Sequence, residues 1–381
     1  MSPAPPGNQK QFVLINLSKG LAAQLIVLHH LAFYGPMADH ARDILPSLID
    51  WLGDHARIAV QVFLVIGGFL AAKSLAPDGN PRTGNPLQRI WRRYLKLAPP
   101  FVVAMLLAVI ASGWAAGWMT HASISAPPTA LQLGAHALLL HDVLGFESLS
   151  AGAWYVAIDF QLYAALTLLA WLSARPGGGR ARGWLLPGLV AAGIGASLLH
   201  FNLDGDWDAW APYFFGSYGL GALAWWASDP QRRPGAVALL LAAMLLLPFL
   251  ALVLEFRSRI ALALVMACVL FLCGRIRPVS GAGATLATIE YAGKISFSVF
   301  LVHFPVCLLV NAAFARFAAE QAHVQAFGML VAWIASLLAG AAFCRWVETP
   351  LGQALAHPHR SASSYRPFSA AAAAQPRLPG R

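Results

Sequence analysis

The sequence predicts an all-α polytopic integral membrane protein with about ten transmembrane helices and both termini in the cytoplasm. Three observations lead there. Of its 381 residues, 58% are hydrophobic and only 11% charged, with a mean hydropathy of +0.62, far from the balance of a soluble chain. The apolar residues gather into windows of the roughly 20 residues that a helix needs to cross a hydrocarbon core. The basic residues fall overwhelmingly on one side of the membrane that those windows define.

In chain order the windows lie near residues 12–34, 56–76, 95–116, 153–173, 184–200, 211–228, 236–254, 257–273, 290–314 and 323–346. The N-terminus lacks the basic, apolar and small-residue order of a cleaved signal, so the first window is expected to stay as a helix. With that N-terminus inside, 21 of the 26 Lys and Arg residues face the cytoplasm, and Arg42, Arg57, Arg257, Arg259 and Arg316 are left outside with most of the acids. This is the positive-inside pattern, so the net charge of +10 reports topology and no nucleic-acid partner. Residues 117–150 are expected to form an outer loop containing a short interfacial helix. The chain then divides into a cytoplasmic segment 1–11, a membrane domain 12–350 and a tail 351–381, rich in Ala, Ser and Pro and expected to be disordered in the cytoplasm. The four cysteines lie in apolar runs without metal or redox spacing, and no repeat of fixed period supports an inverted-repeat transporter.

Ionisable residues inside the spans are the candidates for chemistry, because a charge in hydrocarbon costs several kcal/mol unless it is used or paired. In "LSKGLAAQLIVLHH", residues 17–30, eleven helical steps bring His30 back to the face of Lys19, roughly 16 Å along the axis, with His29 about a quarter turn away. Either Lys19 snorkels to the inner interface and the histidines rest at the outer one, or His30 shares a cavity with Lys19. The third span opens with "RIWRRYLKLAPPF". Its Arg89, Arg92, Arg93 and Lys96, with Arg82 nearby, form either an ordinary cytoplasmic anchor or a seat for phosphates.

Asp159, in "AWYVAIDFQLY", lies about two turns inside the fourth span, beside Gln161 and on one face with Tyr163. It either orients an imidazole, as a carboxylate does in hydrolase triads, or makes a structural ion pair with Lys19 or an arginine. His303 lies well inside the ninth span, with Ser296 seven residues earlier; a lone intramembrane histidine is more often a hydrogen-bonded packing residue. Glu348, in "RWVETPLG", is expected to pair with a cytoplasmic arginine. No metal site is expected, since no His, Asp or Glu pair has zinc-ligand spacing on a helix and "HPH" at 357–359 belongs to the tail. Walker, Rossmann and Gly-x-Ser-x-Gly signatures are absent.

Taken in order, these stretches resemble the acyltransferase-3 family of integral membrane acyltransferases, from about Leu17 to Pro350. "LSKGLAAQLIVLHH" matches the first-helix pattern of a basic residue followed eleven positions later by the essential histidine, here Lys19 and His30. "VQVFLVIGGFL" resembles the second-helix signature at Phe63, Gly67, Gly68 and Phe69, and "RRYLKLAPPF" the Arg-x-x-Arg plus Pro segment at Arg93, Lys96 and Pro99. "WYVAIDFQLY" matches at Trp154, Asp159, Gln161 and Tyr163, and the late elements match at Ser296, His303, Glu348 and Pro350. The chain departs from the usual pattern in Lys19 and Lys96 for arginine, Gln61 for aspartate, Gly67 for serine and Asp159 for glutamate. Two guanidinium forks are thereby lost.

The resemblance implies transfer of an acyl group, most simply acetyl, from cytoplasmic acyl-coenzyme A to a hydroxyl of a cell-surface or periplasmic carbohydrate or lipid-linked glycan. The setting would be a bacterial inner membrane, and no permanently bound cofactor is implied. His30 and Asp159 would be catalytic, with neutral histidine available because its ordinary pKa lies near 6.5. Lys19, Arg92, Arg93 and Lys96 would hold the donor's phosphates, and Trp154, Gln161, Tyr163, Ser296, His303 and Glu348 would support the site. Any soluble partner that transfer requires is expected to be a separate periplasmic protein. The residues by themselves leave two other readings open: a proton-coupled transporter or flippase with His30, Asp159 and Lys19 as a relay, and a noncatalytic assembly or receptor protein.

Overall fold

The structure, a computed structural model, describes residues 7–175, 182–275 and 284–356. Among the described residues there are helices and no strands, as a chain that must satisfy its backbone inside lipid requires. Helix α1 (Gly7–Phe33) is followed at its far end by α2 (Pro36–Ala41) and α3 (Pro46–His55), which runs through one 3-10 turn into α4 (Val60–Leu75). Next come α5 (Pro86–Ala115), the short α6 (Ala130–Ala137), α7 (Ala153–Ala174), α8 (Arg182–Leu199) and α9 (Ala211–Ser228). The last elements are α10 (Pro234–Leu254), α11 (Ser258–Arg275), α12 (Ala284–Phe317), α13 (Ala322–Phe343) and α14 (Thr349–Ala356). Among the described residues nine helices are long and apolar enough to cross a membrane.

The sixth expected window, 211–228, forms α9 but is not apolar enough to be counted with the nine. Its composition follows from its surroundings: every residue except Pro212 and Trp225 is buried, so it faces protein where a lipid-facing helix would need apolar side chains. It lies along α4 for its whole length. The Ser217 hydroxyl donates to Gln61 Oε1 at 2.6 Å near one end, and the indoles of Trp225 and Trp226 donate to the carbonyls of Pro77 and Ala76 at the other. The glycines of "VIGGF" explain how close the helices come. A Cβ on Gly68 would lie 1.8 Å from the Tyr218 carbonyl oxygen, and one on Gly221 would lie 1.9 Å from that of Val65. Only glycine allows this backbone contact.

Several expected boundaries move. Helix α1 begins at Gly7, within the expected N-terminal segment, and α5 begins at Pro86, where proline occupies the first turn and the Asn85 side chain accepts from the Leu87 N–H at 2.9 Å. The basic cluster of α5 is therefore helical from the start. The interfacial helix expected in 117–150 is α6, capped by Thr129, whose hydroxyl accepts from the Gln132 N–H at 3.1 Å. At the other end of the chain α13 passes through a π-helical turn, Cys344–Glu348, into α14. The first residues of the expected tail, to Ala356, are thus helical, and 357–381 lie outside the described residues. Around the long α12 pack α1, α5 and α13, and these, with α4 and α7, enclose the charged interior.

Candidate active site

Two cavities lie one above the other along α1. The inner one, of about 210 Å³, is lined by Lys19 of α1, Arg93 and Lys96 of α5, Asp159 of α7, Lys294 and Ser296 of α12, and Glu348 of the π turn. Arg93 and Lys96 reach it together because they are i and i+3 on one helix face. Arg92, one step of about 100° away, is exposed and does not line the cavity. Arg93 Nη2 donates to Asp159 Oδ2 at 2.5 Å, and its guanidinium lies 5.2 Å from the Tyr163 ring centroid. The two open readings of Asp159 thus resolve toward the ion pair, and its partner is Arg93 rather than Lys19. The carboxylate is committed to a guanidinium at the inner level, away from the cavity that holds His30.

Glu348 also departs from expectation. Its carboxylate accepts from the Ser298 hydroxyl at 2.5 Å and shares the inner cavity with three lysines, without an arginine ion pair among the described residues. The π turn places it there, a common use of such turns. Ser296 donates to the Gly293 carbonyl at 2.9 Å while lining the cavity. Gln161 holds the loop before α9: its amide donates to the Ala209 carbonyl at 3.2 Å and accepts from the Ala211 N–H at 2.9 Å.

The outer cavity, of about 850 Å³, is lined by His29, His30, Tyr34, Asp54, Arg57 and Trp154 among others. His29 is turned aside, its Nδ1 3.0 Å from the Leu52 carbonyl of α3, as its quarter-turn offset from His30 requires. His30 stacks on Tyr34 at 5.4 Å and lies 5.0 Å from the ring of His303. His303 Nδ1 is 2.8 Å from the Phe300 carbonyl and 3.2 Å from that of Val299. Carbonyls only accept, so Nδ1 carries the proton and Nε2 of the neutral ring presents a lone pair. That Nε2 and Nδ1 of His30 are both buried without a hydrogen-bond partner, the free valences of two adjacent rings. His303 is thus hydrogen-bonded to its own helix, as expected of a packing histidine, and in addition meets the ring of His30.

Lys19 and His30 share a helix but open into different cavities. Between them stand three rings that line the inner cavity and not the outer one: Phe63 of α4, Tyr155 of α7 and Phe300 of α12. Their centroids are 5.2 to 6.1 Å apart, and Phe300 lies 6.0 Å from His303. Sequence reasoning missed this partition, and it missed Lys294 and Ser298. Phe63 and Tyr155 sit inside quoted motifs and Phe300 lies between Ser296 and His303, but apolar aromatics in membrane helices carry no signal that separates a partition from ordinary packing.

A buried histidine pair above a cationic cavity, on helices bearing the quoted motifs in order, sets the geometry beside the comparison with known families. The family model described as an acyltransferase domain, acyltransferase-3, matches residues 12–347. The chain belongs to the acyltransferase-3 family. No curated protein and no solved structure matches it. As a membrane acyltransferase it has the described part of its family segment in the helical bundle, from α1 to the π turn. Among the described residues of the acyltransferase no group of three or more His, Cys, Asp and Glu side chains is placed to hold a metal ion.

Proposed function

We propose that this protein is an acyl-coenzyme A-dependent O-acyltransferase of the bacterial inner membrane. It moves an acyl group, most simply acetyl, onto a hydroxyl of a cell-surface or periplasmic carbohydrate or lipid-linked glycan. The observation that carries the proposal is the stacking of two unlike cavities on one helix, a small cationic one on the side that the basic residues assign to the cytoplasm and a larger one holding His30 on the opposite side.

The inner cavity is smaller than the roughly 300–1,000 Å³ typical of small-molecule sites, so it suits the thioester end of the donor rather than the whole of it. Lys19, Arg93, Lys96 and Lys294 supply a positive field that draws in the phosphate-bearing donor, and the exposed Arg92 adds its charge from the same helix. In the outer cavity His30 takes the proton of the acceptor hydroxyl as its oxygen attacks the thioester carbonyl carbon. The C–S bond breaks, the coenzyme A thiolate leaves toward the cytoplasm and takes up a proton there, and His30 gives the proton it took to water, which restores its neutral form. His303, its Nδ1–H held by two carbonyls, fixes the face on which His30 rests. For donor and acceptor to meet, the rings of Phe63, Tyr155 and Phe300 part or the thioester slides between them.

His30→Ala is the decisive variant. With acetyl-coenzyme A supplied to membrane vesicles, product formation is expected to fall by about 10²–10⁴-fold, the usual contribution of a general base. A correctly inserted variant that retains nearly full activity removes the mechanism. Arg93→Ala and Lys96→Ala should raise the KM for donor more than that for acceptor. Mass spectrometry of surface glycans with and without the protein identifies the acceptor by the loss of one acetyl increment, whereas transport without consumption of acetyl-coenzyme A would replace this reading by a transporter.

A further inference from the structure

Five arginines lie on the outer side, where the positive-inside pattern leaves few cations. Two are accounted for locally: Arg42 pairs with Asp50 at 2.9 Å, and Arg316 lies 5.7 Å from the Phe317 ring centroid. The other three, Arg57, Arg257 and Arg259, come from two distant parts of the chain and line one cavity of about 430 Å³.

Arg57 is exposed, whereas Arg257 and Arg259 are held by uncharged groups. Arg257 is only 8% exposed, and its two Nη groups donate to the Asn202 side-chain oxygen at 2.8 Å, the Asn202 carbonyl at 3.2 Å and the Leu198 carbonyl at 2.9 Å. Arg259 donates to the same Asn202 oxygens at 3.1 and 3.3 Å and lies 5.0 Å from the Tyr213 ring centroid. Every one of these acceptors is uncharged. Among the described residues none of the three arginines has a carboxylate within ion-pair distance, and the Nε atoms of Arg257 and Arg259 are buried without partners. Asp54 and Asp208 line the same cavity and the Glu255 carboxylate acts on Arg257, but all three are exposed, where water screens them, and none is within ion-pair distance. Ser258 opens α11 in the cavity wall, so the positive end of a helix adds to the same field. A buried guanidinium fixed by neutral carbonyls with donors to spare is an unfinished anion site.

Its position gives it a use. The cavity shares Asp54, Arg57 and Trp154 with the one that holds His30. We propose that Arg57, Arg257 and Arg259 seat an oxyanion of the acceptor, a phosphate or a carboxylate, and thereby direct a neighbouring hydroxyl toward His30. The acceptor is then an anionic glycan or a phosphate-linked one. The ring of Trp154, stacked on Phe214 at 5.5 Å, forms the wall between anion and hydroxyl against which a sugar face packs. This rests on the reading of His30 as the residue that activates the acceptor.

The test measures binding without donor, so it stands apart from catalysis. Full-length protein in neutral-lipid nanodiscs is titrated with glucose 1-phosphate, methyl glucuronide and methyl glucoside by saturation-transfer NMR. Binding of either anionic probe, weakened by added salt, with none of methyl glucoside, is expected, and the stronger of the two identifies phosphate or carboxylate. Arg57→Gln removes no structural hydrogen bond and should weaken the anionic probe about tenfold or more, as should Arg259→Gln. Arg316→Gln should change nothing. Equal binding of methyl glucoside, or unchanged affinity in both Arg57→Gln and Arg259→Gln, overturns the proposal. Binding of phosphatidylglycerol without either sugar probe overturns it as well, because the seat then belongs to a lipid. His30→Ala should keep probe binding, so loss of the catalytic reading and loss of this one are distinguishable.

Discussion

Arg93 and Asp159 show what one contact decides. The Asp159 side chain is 7% exposed and that of Arg93 23%, so neither charge has much water to fall back on. Asp159→Asn keeps the shape and removes the counter-charge, which is expected to lower stability by about 3–5 kcal/mol. Replacing both residues by apolar ones of similar volume should recover much of that in detergent thermal unfolding while leaving donor use impaired. If the single variant unfolds like the wild type, the pair has no structural role. Depth explains why the sequence left Asp159 ambiguous. Trp154 and Asp159 are five residues apart on α7, yet one lines the outer cavities and the other the inner one, and a helix face does not say which neighbour waits at which level. At the outer surface His136 and His141 stack at 4.0 Å. His136 Nδ1 donates to the Gln132 carbonyl at 2.8 Å and its Nε2 accepts from the Leu149 N–H at 3.2 Å, so the fold uses the neutral ring. Burial lowers the pKa of both, that of His141 to about 3, while burial raises Asp142 to about 6. The histidines' contribution to stability is full above their unfolded pKa near 6.5 and is lost as pH falls toward the folded values. That of Asp142 has the opposite sign, full below about 4 and lost as pH rises through 6. His141 Nε2 lies 3.3 Å from Asp142 Oδ2, so these two titrate as a pair, and His136, whose neutral ring the fold uses at both nitrogens, sets the direction: hydrogen exchange in 130–149, corrected for its intrinsic rate, should speed up between pH 7 and 5. Slower exchange on acidification would mean that Asp142 dominates.

Among the elements, α4, α7 and α12 matter most because each carries one ring of the partition between the cavities. Phe300→Leu keeps an apolar side chain but loses the ring that touches Phe63, Tyr155 and His303. Thinning the partition is expected to let water reach the thioester, so donor hydrolysis without acceptor should rise several-fold, read as free thiol. No increase would show that the barrier lies elsewhere. The same helices show how far element boundaries can be read in advance. Windows of hydropathy located all ten long helices, because burial in lipid and burial in protein both select apolar residues. Apolarity fades into amphipathic ends, however, so the early start of α5 and the continuation into α14 came from caps and tertiary support. Helix α9 is the limiting case, readable as a helix although its glycines, serines and tyrosines answer to α4 and α8 rather than to lipid.

At the scale of the whole molecule, charge distribution and helix count make a joint prediction. If α9 crosses together with the nine apolar helices, tags at the two termini should both be accessible from the cytoplasmic face of sealed vesicles, and a tag in the loop between α5 and α7 from the opposite face. Termini on opposite faces would mean that α9 does not cross. The sequence by itself determined the class of fold and the family, because these rest on composition, on the order of motifs and on the membrane's demand for satisfied backbones; the orientation it predicts from inward positive charge. It also separated His30 from His29, since helical phase is local. Only the tertiary structure decided that Lys19 and His30 open into different cavities, that Asp159 belongs to Arg93 and Glu348 to Ser298, and that Arg57 meets Arg257 and Arg259. The physical reason is the same in each case: a side chain's partner lies on another helix at a particular depth, and packing between distant segments sets that depth.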